Sequence, residues 1–153
     1  MKVNIKKLHP DAVIPKKTYE SDFCYDCVAI SEEEISPNVW KYGLGIALQL
    51  NREDSNWFSS RTEHILSIDV RPRSSIYKTG MSLANSIGTC DELYTGEISV
   101  IFYHVLRDLP RYKIGDRVCQ IKLGVTTPLT FKEVEELSST ERGSGGFSST
   151  GIK

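Results

Sequence analysis

Apolar residues in this chain recur at every second position in short runs, and turn-forming residues close each run before it reaches helical length. Val3 and Ile5 alternate with polar neighbours, and Pro10 and Pro15 bracket a short extended piece. Over 26–30, Asp26, Val28 and Ile30 share one face while Cys27 and Ala29 share the other. Ile46, Leu48 and Leu50 line a further strand, and Leu66, Ile68 and Val70 the next. Residues 98–105 are nearly continuous apolar sequence, the pattern of a strand covered on both faces. Further on, Cys119, Ile121 and Leu123 oppose Val118, Gln120 and Lys122. Many short strands of this kind predict an all-β sandwich or closed barrel. One short helical turn is expected at 74–78, and a second after Thr130, where Thr130 and Glu133 have capping-box spacing.

Size sets the rest of the frame. A chain of 153 residues and 17.2 kDa supports one domain with a single core. Its formal net charge of -1 argues against a nucleic-acid binder, while leaving room for a local basic patch beside a small anion. No apolar run has membrane length and no signal-like segment follows Met1, so a cytoplasmic or nuclear setting is expected. In such a compartment Cys24, Cys27, Cys90 and Cys119 are expected as free thiols. Cys24 and Cys27 have no second pair to complete a zinc site.

Two segments differ from the strands. Residues 51–60 read as a long polar loop that nevertheless carries Trp57 and Phe58, a surface suited to a protein partner. Residues 138–153 have almost no apolar content, so the chain divides into a β domain over 1–137 and a flexible C-terminal arm over 138–153.

That arm carries Arg142, four glycines, Phe147, Ser148, Ser149 and Thr150. Glycines let backbone N–H groups converge on an anion, arginine grips a phosphate through parallel bonds, and an aromatic ring can stack on a base. Arg73, Ser74 and Ser75 after Pro72 would present donors at the start of a short helix. In the segment 84–97, Asn85 and Gly88 suggest a hairpin whose exposed backbone could read a base edge. Asp91 could polarise a water and Tyr94 could lie beneath a sugar. Gly115-Asp116-Arg117-Val118-Cys119-Gln120 is a turn feeding a strand that places the Gln120 amide over a ligand.

Taken in order, these segments resemble the five motifs of the trimeric dUTPases. The first is matched by Tyr25-Asp26, and the second by Pro72-Arg73-Ser74-Ser75 with Lys78, Gly80 and Asn85. The third is matched by Asp91, Tyr94, Gly96 and Glu97, the fourth by 115–120, and the fifth by 142–151. Ser75, Leu93 and Ser148 depart from the family pattern.

The resemblance implies a distorted jelly-roll fold, a homotrimer, and Mg²⁺-dependent hydrolysis of dUTP to dUMP and pyrophosphate. It implies Asp91 as the residue orienting the attacking water, and Asp26 beside the magnesium. Asn85, Gly88, Thr89 and Cys90 would read uracil, and Tyr94 would support deoxyribose. Arg73, Ser74, Ser75 and Gln120 would hold phosphates, while Arg142, Phe147, Ser148, Ser149 and Thr150 would close over the nucleotide. Two other readings compete: a dCTP deaminase of the same superfamily, and a dUTP-gated regulatory protein docking through 51–60.

Overall fold

A computed structural model of the protein describes residues 2–52 and 64–146. Its strands are β1 (Lys2–Lys7), β2 (Tyr25–Val28), β3 (Ser31–Ser36), β4 (Val39–Asn51), β5 (Ile65–Arg71), β6 (Met81–Leu83), β7 (Gly88–Asp91), β8 (Glu97–His104) and β9 (Arg117–Thr126). A single 3-10 turn at Ser74–Lys78 is the helical element expected there.

The strands form two antiparallel sheets. One has the order β1-β4-β8-β6, with β3 also paired to β4; the other has the order β2-β9-β5-β7. Long β4 takes β3 over its first half and β1 over its second, and the register with β8 shifts between Gly43 and Ala47. Gly45 sits in that bulge at φ +62, a left-handed conformation that disfavours a side chain. Glu97 closes the bulge by accepting the Gly45 amide at 2.9 Å.

The core lies between the sheets. From one come Tyr42, Leu44, Ile46, Ile98, Val100 and Phe102; from the other come Cys27, Ile68, Val70, Val118, Cys119 and Ile121. Tyr42, Phe102 and Tyr112 meet edge-on or tilted with centroids 5.4–6.2 Å apart, and the Tyr42 hydroxyl donates to the Tyr112 carbonyl at 2.8 Å. The period-two faces read at 27–29 and 66–70 are the buried faces.

Four expectations change. Residues 98–105 are fully covered on one face only: Ile98, Val100 and Phe102 are buried, but Tyr103 and Val105 are half exposed or more. Val118 is buried beside Cys119 instead of pointing away from it, because β9 carries an extra residue where β2 shifts register. No helix follows Thr130: residues 127–139 run on without a hydrogen bond among the described residues. Finally, 84–87 is not a hairpin, since β6 and β7 belong to different sheets and this segment crosses between them. The four cysteines are free, with Cys27 and Cys119 directly opposite on β2 and β9. Trp57 and Phe58 lie outside the described residues.

Candidate functional site

Asp26, Arg73, Ser74 and Gln120 line one cleft of about 470 Å³, together with Arg117 and the loop Thr18, Tyr19, Asp22. The register explains the grouping. Gln120 is paired with Asp26 on one side and Arg71 on the other, so residues just beyond Arg71 return to the same rim. Gln120 Nε2 donates to the Pro72 carbonyl at 3.0 Å and ties that turn to β9.

Asp26 is the centre of this cleft. Its Oδ1 accepts from Arg73 Nε at 2.8 Å, and its Oδ2 accepts from Arg73 Nη2 at 3.3 Å and Arg117 Nη1 at 2.9 Å. Arg73 Nη1 also donates to Ser75 Oγ at 3.3 Å. Asp22 winds the neighbouring loop, its Oδ2 accepting the amides of Thr18 and Tyr19 at 3.2 and 2.8 Å.

A second cleft, of about 340 Å³, is lined by Thr89, Cys90, Asp91, Tyr94, Glu97, Ser99 and Lys41. Asp91 ends β7 with its side chain in solvent, and the turn after it is closed by the Tyr94 amide bonding the Asp91 carbonyl at 3.0 Å. The Tyr94 hydroxyl donates to the Glu97 carbonyl at 3.0 Å, laying the ring across Gly96. A Cβ on Gly96 would come within 2.5 Å of that hydroxyl and 2.7 Å of the ring, so any side chain there would push the half-exposed ring aside. Asn85 is exposed and Gly88 is buried opposite Val70, at the entrance to the same strand. Burial pushes the Cys90 thiol above its ordinary pKa, which keeps it protonated.

The turn bearing Asp91 is anchored by a contact that sequence reasoning missed. Arg52 donates through Nε and Nη2 to the two oxygens of Glu92, the latter at 2.6 Å, and to the His64 carbonyl at 2.7 Å. Glu92 also accepts the Leu66 amide at 3.1 Å. The arginine's hydrogen bond holds the Glu92 carboxyl below its usual range.

The two clefts share no residue. Asp26 and Asp91 lie on the opposite edge strands of the sheet β2-β9-β5-β7, three strand spacings or roughly 14 Å apart. They are also offset along the strands by the step from Arg71 to Ser67, roughly 13 Å more. A water hydrogen-bonded to a carboxylate lies about 3 Å from it, so within one chain Asp26 and Asp91 cannot share one.

Arg142 joins neither cleft; its Nε bonds the Gly145 carbonyl at 3.0 Å in its own turn. Phe147, Ser148, Ser149 and Thr150 lie outside the described residues. Before that turn, Leu129, Phe131, Val134 and Leu137 are 50–89% exposed, an apolar row left largely uncovered among the described residues.

Among known proteins, the family model described as dUTPase matches residues 64–151. A deoxyuridine 5'-triphosphate nucleotidohydrolase of Helicobacter pylori (strain P12) is 35% identical over 156 aligned positions, covering 99% of this chain and 98% of that protein. Among solved structures, a mutant dUTPase of Staphylococcus bacteriophage 80alpha with dUpNHpp superposes with a TM-score of 0.76 at 18% identity, covering 99% of each chain. A mutant dUTPase from phage phi11 of S. aureus, described as coordinating a structural Mg(II) ion, gives a TM-score of 0.65 at 15% identity, covering 91% of this chain and all of that one.

Proposed function

Because this chain belongs to the dUTPase family, we propose that it hydrolyses dUTP to dUMP and pyrophosphate. Such a reaction limits the uracil available to DNA synthesis and supplies dUMP for thymidylate. The observation that carries the reading is the pair of clefts: one whose arginine, serine and amide donors suit phosphates and an open one where Asp91 and Tyr94 face solvent together.

In this reading the 84–91 segment receives the nucleoside. Asn85 and the backbone of Gly88, Thr89 and Cys90 meet the uracil edge, and the Tyr94 ring supports deoxyribose, crowding out a 2′-hydroxyl. Asp91 orients a water in line with the α-phosphate. A carboxylate is a weak base, so its work is to position the water and accept the proton late. Arg73, Ser74, Ser75 and Gln120 hold the phosphates, and their donors neutralise charge growing on the leaving pyrophosphate.

Asp22 and Asp26 are the carboxylates of the phosphate cleft, and most of their oxygens already accept protein donors. Each carboxylate retains free lone pairs, so the donor set fits a hydrated ion arriving with the polyphosphate, touched by Asp26 through water. Magnesium bound this way would spread the negative charge of the triphosphate.

The separation of the clefts implies that each site combines chains. In the homotrimer proposed here, the β domain over 1–137 supplies both half-sites to different sites. The arm over 138–153 crosses to a neighbour, with Leu129, Phe131, Val134 and Leu137 seated on it. Arg142, Ser148, Ser149 and Thr150 then close over the terminal phosphate, and Phe147 over the base. The protein is proposed to work in the cytoplasm or nucleus. No helix of the described residues is long and apolar enough to cross a membrane.

The test is pyrophosphate release from dUTP, dTTP, dCTP and UTP, with and without Mg²⁺, for the parent and Asp91→Asn. Turnover confined to dUTP and abolished in Asp91→Asn, with dUTP still bound, is the expected result. Ammonia release from dCTP, or unchanged turnover in Asp91→Asn, would overturn the assignment.

A further inference from the structure

Glu97 stands at the first position of β8, on the lip of the cleft that holds Asp91 and Tyr94. There the β4–β8 ladder is broken: Gly43 pairs with Ser99 and Ala47 with Glu97, so Leu44, Gly45 and Ile46 stand opposite Ile98. The Glu97 carboxylate spans this gap. Its Oε1 accepts the Gly45 amide at 2.9 Å, while the Gly45 carbonyl accepts the Leu8 amide at 2.7 Å. Gly43 leaves the room for it, since a Cβ there would lie 2.7 Å from the same Oε1. No cation pairs with this carboxylate among the described residues, so its reach counts for more than its charge.

The same residue holds the floor of the cleft by its backbone. The Tyr94 hydroxyl donates to the Glu97 carbonyl at 3.0 Å. The ring is 47% exposed and stands outside the core, so this bond and the contact with Gly96 decide where it lies. A strand end with missing ladder bonds is held by whatever replaces them, here the Glu97 side chain. Bulges of this kind re-aim side chains beside active sites.

We propose that Glu97 is a positioning residue that sets sugar specificity: by spanning the gap to β4 it fixes the height of the Tyr94 ring, and that height decides whether a 2′-hydroxyl fits. This rests on the dUTPase reading, in which Tyr94 lies beneath the deoxyribose. Glutamine has the same reach and an oxygen to accept the Gly45 amide. Aspartate keeps the charge but falls short of Gly45 by a methylene. Reach and charge are therefore separable in two variants.

The test measures kcat and KM for dUTP and for UTP in the full-length parent, Glu97→Gln and Glu97→Asp, with thermal unfolding run in parallel. In Glu97→Asp the dUTP to UTP ratio of kcat/KM should fall by about tenfold, part of the roughly 100-fold by which a pocket rejects an added hydroxyl. Glu97→Gln should keep that ratio within about twofold of the parent. An unchanged ratio in Glu97→Asp, with or without a lower Tm, would show a structural role and overturn the proposal. An equal fall in both variants would assign the effect to the charge and overturn it too. If Glu97→Asp fails to fold, Glu97→Gln decides: a parental ratio stands with the proposal and a lowered one overturns it. A parent that turns over no dUTP would sink the proposed function as well, whereas a parent selective for dUTP beside an unaltered Glu97→Asp sinks this inference alone.

Discussion

Replacing Arg52 with alanine should both destabilise the protein and slow it. The pair it forms with Glu92 is bidentate, and the side chains are 34% and 17% exposed. Fully exposed pairs contribute about 0–1 kcal/mol, and hydrogen bonds to charged groups about 1.5–3 kcal/mol. This partly buried pair is bidentate and Arg52 also bonds the His64 carbonyl, which puts it in the upper range, so Arg52→Ala should cost about 2 kcal/mol. For a domain of this size that is a fall in Tm of about 4–8 °C.

Glu92 follows Asp91 directly, so a looser anchor should also blur the position of the water. Misplacement by about 1 Å costs up to about 100-fold in rate. Thermal unfolding and pyrophosphate release well below the Tm measure the two effects separately. A Tm within about 1 °C of the parent would refute the estimate of the pair. A lowered Tm with parental turnover would refute the idea that the pair positions Asp91.

The pair also has a pH signature. Glu92 titrates below its ordinary value of 4.5 in the folded chain, first because of Arg52. The stability it contributes is therefore fully present above pH 4.5 and is lost as pH falls toward the folded pKa. Below that value the parent and Arg52→Ala should converge in stability.

Two further outcomes follow from the clefts and the arm. Gly96→Ala would drive a methyl into the Tyr94 ring, so the dUTP to UTP ratio of kcat/KM should fall by about tenfold with little change in Tm; an unaltered ratio would contradict the ring's role. Ending the chain after Thr140 should leave the Tm within about 2 °C and reduce hydrolysis by about 100-fold or more. Residues 127–139 make no hydrogen bond to the β domain among the described residues, so a large fall in Tm would contradict that separation.

Alternation read the buried faces of β2 and β5 correctly because burial on one side of a sheet forces a period of two. The same rule misplaced Val118, since a bulge is a register event between two strands and leaves no mark in one of them. It also overstated the cover of β8: apolar Tyr103 and Val105 are 50% and 61% exposed among the described residues. The helix read after Thr130 rested on a capping pattern without a core to pack against.

At the site, the residue types were legible and their distribution was not. Asp26, Arg73 and Gln120 could be grouped from motifs, and the structure brings them together. That Asp91 stands on the far edge of the same sheet follows from strand order, which no local pattern encodes. Arg52 and Glu92, forty positions apart, had only their charges to suggest a partnership.

The placement of Asp26 and Asp91 on opposite edges has a genetic consequence. If every working centre is stitched from several copies, a lesion in one copy is felt unevenly across a mixed assembly. A subunit lacking only Asp91 would silence the centre to which it lends that group and leave its own phosphate cleft useful to another. Two different inactive alleles could then restore partial activity when co-expressed, whereas a self-contained enzyme would allow no such rescue.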